Sequence, residues 1–565
     1  MFLDEIKNPA FWQKVRSDET YRPLIEAILQ SYEKDAVPPI TEIPYTIAQD
    51  FFISGDRAKS EAIYFVRRRA LATCAILALI YPEERKYFDR MQDFLFAICN
   101  EYTWEIPAHT PNLTDYIPDD IDLFASETGY ALSEIYKIFE DKLDPLIKTR
   151  IKMEVERRII APFADYNRKF AWIGFRSNWA AVCGASVAAC FIYLAPERFA
   201  DVKPRIDEAI NNYLISYQDS GYCIEGIAYW EYGFGFFTCY AQMMYDFTNG
   251  EVDYFKMEKV KAIASFAQKM FLSGQSTVSF SDGRMEGSVS RGICHYLAKK
   301  YPDTVFPYPQ TVVSAGDFCG RWCYTLRGVF WFDPSTEKVV EELVDYSKDA
   351  EWLVYRTKTF GFAAKAGKNW EAHNHNDVGS FCFAVDGKQI FADVGAGEYT
   401  RQYFREETRY QYFNTSSRSH SVPILFGNYQ KTGGRYRANN TVWDGKTLSY
   451  DYASAYDDER VSSLIRAIGV DKGGVTIRNQ ITYQEGFTPA LGDYIERYVV
   501  TEEPIFENGK MIAGGVVATY TGAGIPTVTK ELVYPHLKTD PVKPVYLVDF
   551  AVTGTEFEMR IEPKN

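Results

Sequence analysis

Up to about residue 305, apolar side chains recur every three or four positions. In 60–81, SEAIYFVRRRALATCAILALIY, and in 123–140, LFASETGYALSEIYKIFE, that spacing predicts helices. Proline-containing breaks follow each, YPEERKYF and KLDPLIKTR. The run 179–195, WAAVCGASVAACFIYLA, is apolar on every side and stopped by Pro196. It is near the lower length limit for a membrane span and rich in small residues, so a buried helix is the expectation. An amphipathic stretch follows at 205–218, RIDEAINNYLISYQ. Successive helix pairs of this kind predict a layered helical array, and no fixed-period repeat marks a consensus solenoid.

Beyond that point the period shortens to two. FCFAVDGKQIFADV, TVWDGKTLSY, GVTIRNQITY, GDYIERYVV and PVYLVDFAV all alternate, and the Asp-Gly of VDGK is a strong hairpin signal. The chain therefore divides into a helical domain over 1–308, an antiparallel β domain over 309–490 and a small C-terminal β domain over 491–565.

Composition adds bounds. The 565 residues are 46% hydrophobic and 24% charged, too long for one core. The net charge of −14 argues against a nucleic-acid partner, whose footprint is basic. The start, MFLDEIKNPAFWQKV, has no basic and then apolar segment, and the ten cysteines form no C-x-x-C pair. A cytoplasmic protein with free thiols and no membrane partner is the expectation, or a periplasmic or secreted one if a leader precedes this sequence.

The chemistry concentrates in HNHNDVGSF, 373–381, in a chain with six histidines. If this stretch enters a strand, His373, His375 and Asp377 share a face. Asp393 lies on the return strand, and His420 follows in SRSHSVP. Imidazoles converging with a carboxylate are a candidate zinc shell, and loop-edge side chains satisfied by backbone are the alternative.

HNHNDVGSF, DGKQIFADVGAGEY and SRSHSVP together resemble the C-terminal β domain of the heparinase II/III-like polysaccharide lyases. RSNWAAVCGA and SGYCIEGIAYWEYG resemble two signatures of that family's helical domain, so the likeness runs from about 170 to 430. It implies an incomplete (α/α) toroid followed by an antiparallel β-sandwich, with a cleft between. It implies cleavage of uronic-acid polysaccharides by β-elimination, with glycosaminoglycans favoured over alginate. It maps the metal ligands onto His375, Asp393 and His420, with zinc favoured over manganese or calcium. The catalytic histidine maps onto His373, an asparagine onto Asn178, and the acid tyrosine onto Tyr229 or Tyr232. Where some members carry a histidine after the asparagine, this chain has Trp179.

Removing a C5 proton requires the uronate carboxylate to be neutralised, a role suited to Asn178 and His373. A tyrosine serves as base and acid when both protons lie on one side of the sugar, with a neighbouring cation lowering its pKa. Arg401, Arg405, Arg409 and Arg418 crowd one stretch and suit carboxylate or sulfate. Trp179, Trp230 and Tyr399 are candidates to stack on sugars, and Glu225 is a further candidate for substrate contact. The expected partner is an anionic polysaccharide or oligosaccharide, with a homo-oligomer open. A zinc-dependent hydrolase is the rival, although no H-E-x-x-H occurs.

Overall fold

A computed structural model describes residues 2–115, 117–304, 316–338, 340–536 and 540–564. The expected boundary at 308/309 lies outside the described residues. The helical half is an incomplete (α/α) toroid of helices laid side by side, among them Ala58–Ile80, Arg85–Cys99, Leu123–Phe139, Asn178–Leu194, Phe199–Ser216 and Ile227–Phe247. Asn178–Leu194 is the apolar run read above. It packs against Leu123–Phe139, Phe199–Ser216 and Ile227–Phe247 at once, which is why it lacks a polar face. Among the described residues no helix is long and apolar enough to cross a membrane. All ten cysteines are free.

The helical half extends past the expected boundary. Trp322–Phe330 is a helix packed on Arg291–Lys300 and Ala58–Ile80, and the first strand after it is Leu343–Ser347. Two large antiparallel sheets follow. One runs Thr527–Val533, Lys543–Ala551, Tyr494–Val500, Lys388–Phe391, Phe381–Val385, Gly361–Lys365, Trp352–Arg356, Leu343–Ser347. The other runs Asn439–Trp443, Thr447–Asp451, Val461–Asp471, Gly474–Tyr483, Glu556–Pro563, Val516–Thr521, Lys510–Ala513, Ile505–Glu507. Strands beyond residue 490 sit in both sheets, so 491–565 forms no separate β unit. Sequence pattern could not reveal this, because the hydrogen bonds joining Glu556–Pro563 to Gly474–Tyr483 are long-range.

The middle strands of the first sheet are buried on both faces, and the two-residue period explains how. In Phe381–Val385, Phe381 and Phe383 point into the core between the sheets, while Cys382 and Ala384 join the core of the helical half. Asp386 and Gly387, at φ 49° and 79°, form the predicted hairpin turn. The helical and β halves therefore share one continuous interface, and the histidine segment lies at its edge.

Candidate active site

The stretch before Phe381 is a loop, not a strand, so the expected alternation does not apply. His373 is held at φ 56°, a left-handed conformation uncommon for a side chain of this size. Lys365, fully buried on the neighbouring strand, grips the loop at both ends. Its Nζ lies 2.8 Å from Asp377 Oδ1 and 3.1 Å from Glu371 Oε2. Asp377 is thus spent on Lys365 and does not share a site with the histidines.

The centre of the site is a residue the sequence did not single out. Asp282 sits in the loop of SFSDG, in the helical half between Ile227–Phe247 and Arg291–Lys300, and its carboxylate accepts from five side chains. His373 Nδ1 is 2.5 Å from Oδ2, and His375 Nε2 is 3.0 Å from Oδ1. Tyr403 Oη donates to Oδ1 at 2.5 Å, and Tyr399 Oη donates to Oδ2 at 3.1 Å. Arg409 Nη2 lies 3.2 Å from both oxygens. Burial alone would raise the Asp282 pKa, but the two histidines and Arg409 hold it well below the usual carboxylate range. The loop is fixed from both halves. Ser281 Oγ donates to Ile224 O at 2.8 Å, and Ser279 Oγ donates to Asp393 O at 2.7 Å.

Against His373 lies the helix Ile227–Phe247, whose first turn carries Tyr229. The two rings stack with centroids 4.0 Å apart at 24°. Tyr229 Oη is 2.6 Å from Tyr399 Oη. Because the one hydroxyl proton of Tyr399 is given to Asp282, Tyr229 is the donor in that pair. Asn178, at the start of its helix, donates from Nδ2 to Glu225 Oε2 at 2.8 Å. That same oxygen is 3.8 Å from His373 Nε2. Burial raises the Glu225 pKa, partly offset by His373 and Asn178. Asn178, Glu225, Tyr229 and His373 thus meet at one place.

Burial also raises the Tyr229 pKa, reinforced by the Asp282 charge. This corrects the expectation of a phenol acidified by a neighbouring cation. Arg409 does act in that direction but is outweighed, and Tyr229 rests protonated. Tyr232, one turn further on, faces away. Its Oη donates to Glu127 Oε1 at 2.5 Å, and Arg321 covers its ring at 3.9 Å.

Several candidate substrate contacts are reassigned. Trp230 is 1% exposed and donates to Ile263 O, so it is core and cannot stack on a sugar. Arg401 donates to Phe51 O and Phe52 O, and Arg418 to Ser416 Oγ and Gln411 O. Of the four clustered arginines only Arg405 is exposed, and among the described residues its side chain has no hydrogen-bond or ion-pair partner. Trp179 is partly exposed beside His109, with ring centroids 4.8 Å apart. An aromatic the sequence reading passed over, Phe404, is 48% exposed, with its centroid 4.7 Å from Tyr399 and 6.4 Å from His373.

Behind the loop, one ligand atom each from His375, Asp393 and His420 lies within 4.8 Å of the others, and all three residues are fully buried. His420 Nε2 donates to Asn414 O at 3.1 Å, and His375 Nε2 to Asp282. Each Nδ1 is then left as a lone pair, and that of His420 lies 3.1 Å from Asp393 Oδ2. With the rings so assigned, the three atoms are buried acceptors with no donor among the described residues. Acceptors converging with no donor require a cation. A proton on His420 supplies one, since Asp393 raises the His420 pKa against the effect of burial. A divalent metal fits the same three atoms, with outward Nε2–H bonds of the kind that orient metal-bound imidazoles.

No family model and no curated protein matches the chain. Solved structures do. Heparinase III is similar with a TM-score of 0.62 at 12% identity, covering 99% of this chain and 92% of that one. A mutant of the heparan sulfate lyase HepC from Pedobacter heparinus gives 0.59 at 12%, covering 98% and 90%. The chondroitin AC lyase of Streptomyces coelicolor A3, in complex with chondroitin sulphate, gives 0.56 at 11%, covering 100% and 83%. At such identities the likeness is one of fold, over nearly the whole chain.

Proposed function

We propose that this chain is a polysaccharide lyase that cleaves uronic-acid-containing glycosaminoglycan chains or oligosaccharides by β-elimination. The observation that carries the reading is the stacked pair of Tyr229 and His373, with Asn178 and Glu225 at its edge and Asp282 behind it. Asn178 and His373 hold the uronate carboxylate and stabilise the enolate that forms as the C5 proton leaves. Buried Glu225, its pKa shifted upward by burial, holds the Asn178 amide in place there. Tyr229 moves the protons. It rests protonated, so giving a proton to O4 needs no further adjustment. To take the C5 proton it must first lose its own; the proton it then takes from C5 is the one it gives to O4, so the two transfers balance within one turnover.

His375, Asp393 and His420 would hold one divalent ion, with zinc favoured by the nitrogen-rich donor set. A metal there would supply structural charge compensation and keep the loop of His373 in place. The complete burial of all three ligands disfavours the hydrolase alternative, because a hydrolytic metal keeps a position open to substrate. The deciding assay is ultraviolet absorbance over a panel of glucuronate, iduronate and alginate polymers. A lyase yields a conjugated unsaturated uronate; bond cleavage with no rise in absorbance would refute the reading.

A further inference from the structure

Three residues before His373 stands Trp370, its side chain 52% exposed. It follows directly on a two-stranded ribbon in which Lys368–Asn369 pairs antiparallel with Gly433–Arg437. A Cβ added at Gly434 would lie 3.7 Å from Trp370 Cβ, so the tryptophan rests against the ribbon. Every charged side chain in 368–370 and 431–437 is basic: Lys368, Lys431, Arg435 and Arg437. That is a local excess in a chain whose net charge is −14. Lys431 and Arg435 share one carboxylate, Asp457, at 3.3 and 3.2 Å, and Arg437 is 3.8 Å from Glu351. Lys368 is exposed, and among the described residues its ammonium has no hydrogen-bond or ion-pair partner. Lys368 and Arg437 are opposite one another in the register, so their side chains leave the same face.

The ribbon and the histidine loop are bonded into one unit. Asn376 Nδ2 donates to Thr432 Oγ1 at 2.9 Å, and Asp377 N donates to Asn369 Oδ1 at 3.1 Å. Asn369 is fully buried and also donates to Lys431 O at 2.9 Å. Three residues of chain span at most ~11 Å, so an oligosaccharide of a few units can touch Trp370 and His373 together. A single exposed aromatic is ordinary; here it stands among cations that outnumber their carboxylates. That combination fits a ligand apolar on one face and anionic at its edge. A uronate or a sulfated sugar is such a ligand: its C–H face lies on the indole, and its carboxylate or sulfate suits guanidinium and ammonium donors.

We propose that this ribbon is an anionic-sugar subsite: Trp370 carries a unit of the substrate beyond the one that reacts at Tyr229 and His373, and Lys368 and Arg437 take that unit's carboxylate or sulfate. The preferred substrate is then an anionic chain long enough to reach both places, and its length is read by binding rather than by the chemical step. The inference rests on the lyase reading for the nature of the ligand.

The test measures KM and kcat by unsaturated-product absorbance on a ladder of size-defined uronate oligosaccharides, beside calorimetric binding of the same ladder to Tyr229→Phe protein. In the parent, KM should fall as units are added until the ribbon is occupied. In Trp370→Ala that gain should be lost: KM on the long members rises ~10-fold, equivalent to ~1.4 kcal/mol. Because the contact is made equally before and during the chemical step, kcat should change little. The pair Lys368→Glu and Arg437→Glu should act in the same direction, and more strongly at low salt. General destabilisation would not move the dependence on length. Unchanged KM on the long members in both variants, with product forming, would overturn the subsite and leave the lyase reading standing. Binding weakened by the charge reversals but not by Trp370→Ala would mark a nonspecific electrostatic patch and overturn it too. No unsaturated product from any member would sink the lyase reading. Calorimetry then decides the subsite: affinity that grows with length and is lost when Trp370→Ala is added supports it, and affinity independent of Trp370 removes it.

Discussion

Tyr229 and Tyr232 sit one turn apart on one helix, and the sequence could not choose between them. The structure gives them different partners, so their removal should have different consequences. Tyr229→Phe deletes the proposed proton carrier while keeping the ring stacked on His373, and kcat should fall by ~10²-fold or more with the fold intact. Tyr232→Phe removes a buried hydrogen bond to the Glu127 carboxylate, which should cost ~1.5–3 kcal/mol of stability and leave kcat within a few-fold. Steady-state absorbance kinetics beside urea unfolding measures both, and a reversed pattern would move the acid role to Tyr232. At this same scale Asp282 was illegible. An isolated Asp-Gly reads as a turn, and nothing local predicts that two histidines, two tyrosines and an arginine from the other half will converge on it.

Two loops, one from each half, form the element on which the site depends. Gly395, at φ 64°, passes so near the Asp282 loop that an added Cβ would lie 2.2 Å from Gly283 O, and Ala396 N already donates to that oxygen at 3.0 Å. Gly395→Ala would clash with backbone and add left-handed strain, at a cost of ~1–3 kcal/mol from the backbone conformation alone. It should lower Tm and shift Asp282 away from His373, with kcat falling together with stability. A variant as active and as stable as the parent would show that the two loops are not coupled. The candidate metal-ligand cluster of His375, Asp393 and His420 is the other element-scale device. Chelator-free protein should carry about one divalent ion per chain, lost in His375→Ala, as read by elemental analysis. Because all three ligand residues are fully buried, exchanging one bound divalent ion for another should change Tm more than kcat. Full metal content in His375→Ala would refute the ligand set.

For the molecule as a whole, the stacking of His373 on Tyr229 would put both on the same side of a sugar bound as proposed. Trp179, beside His109, takes the place where an opposite-side histidine would follow Asn178. In 4-linked glucuronate the C5 proton and the leaving oxygen lie on one side of the ring; in iduronate they lie on opposite sides. The expected outcome is a higher kcat/KM on glucuronate-rich than on matched iduronate-rich oligosaccharides, scored by unsaturated product. Equal or faster cleavage at iduronate would mean that another group, with His109 the first to examine, works from the other face.

Periodicity determined the order of a helical half and a β half, because 3.6- and 2-residue patterns are local properties of the chain. It also marked Asn178–Leu194 as buried and the Asp386–Gly387 hairpin. The cluster of His375, Asp393 and His420 could be mapped by motif, since its residues fall within one short β segment. Tertiary structure alone decided the rest. It placed the strands after residue 490 in both sheets, buried Trp230, and spent Arg401 and Arg418 on carbonyl groups. It also set Asp282 of one half against His373 and Tyr399 of the other. These outcomes depend on which distant surfaces meet, and a linear pattern carries hydrophobicity and turn chemistry but not the partner across an interface.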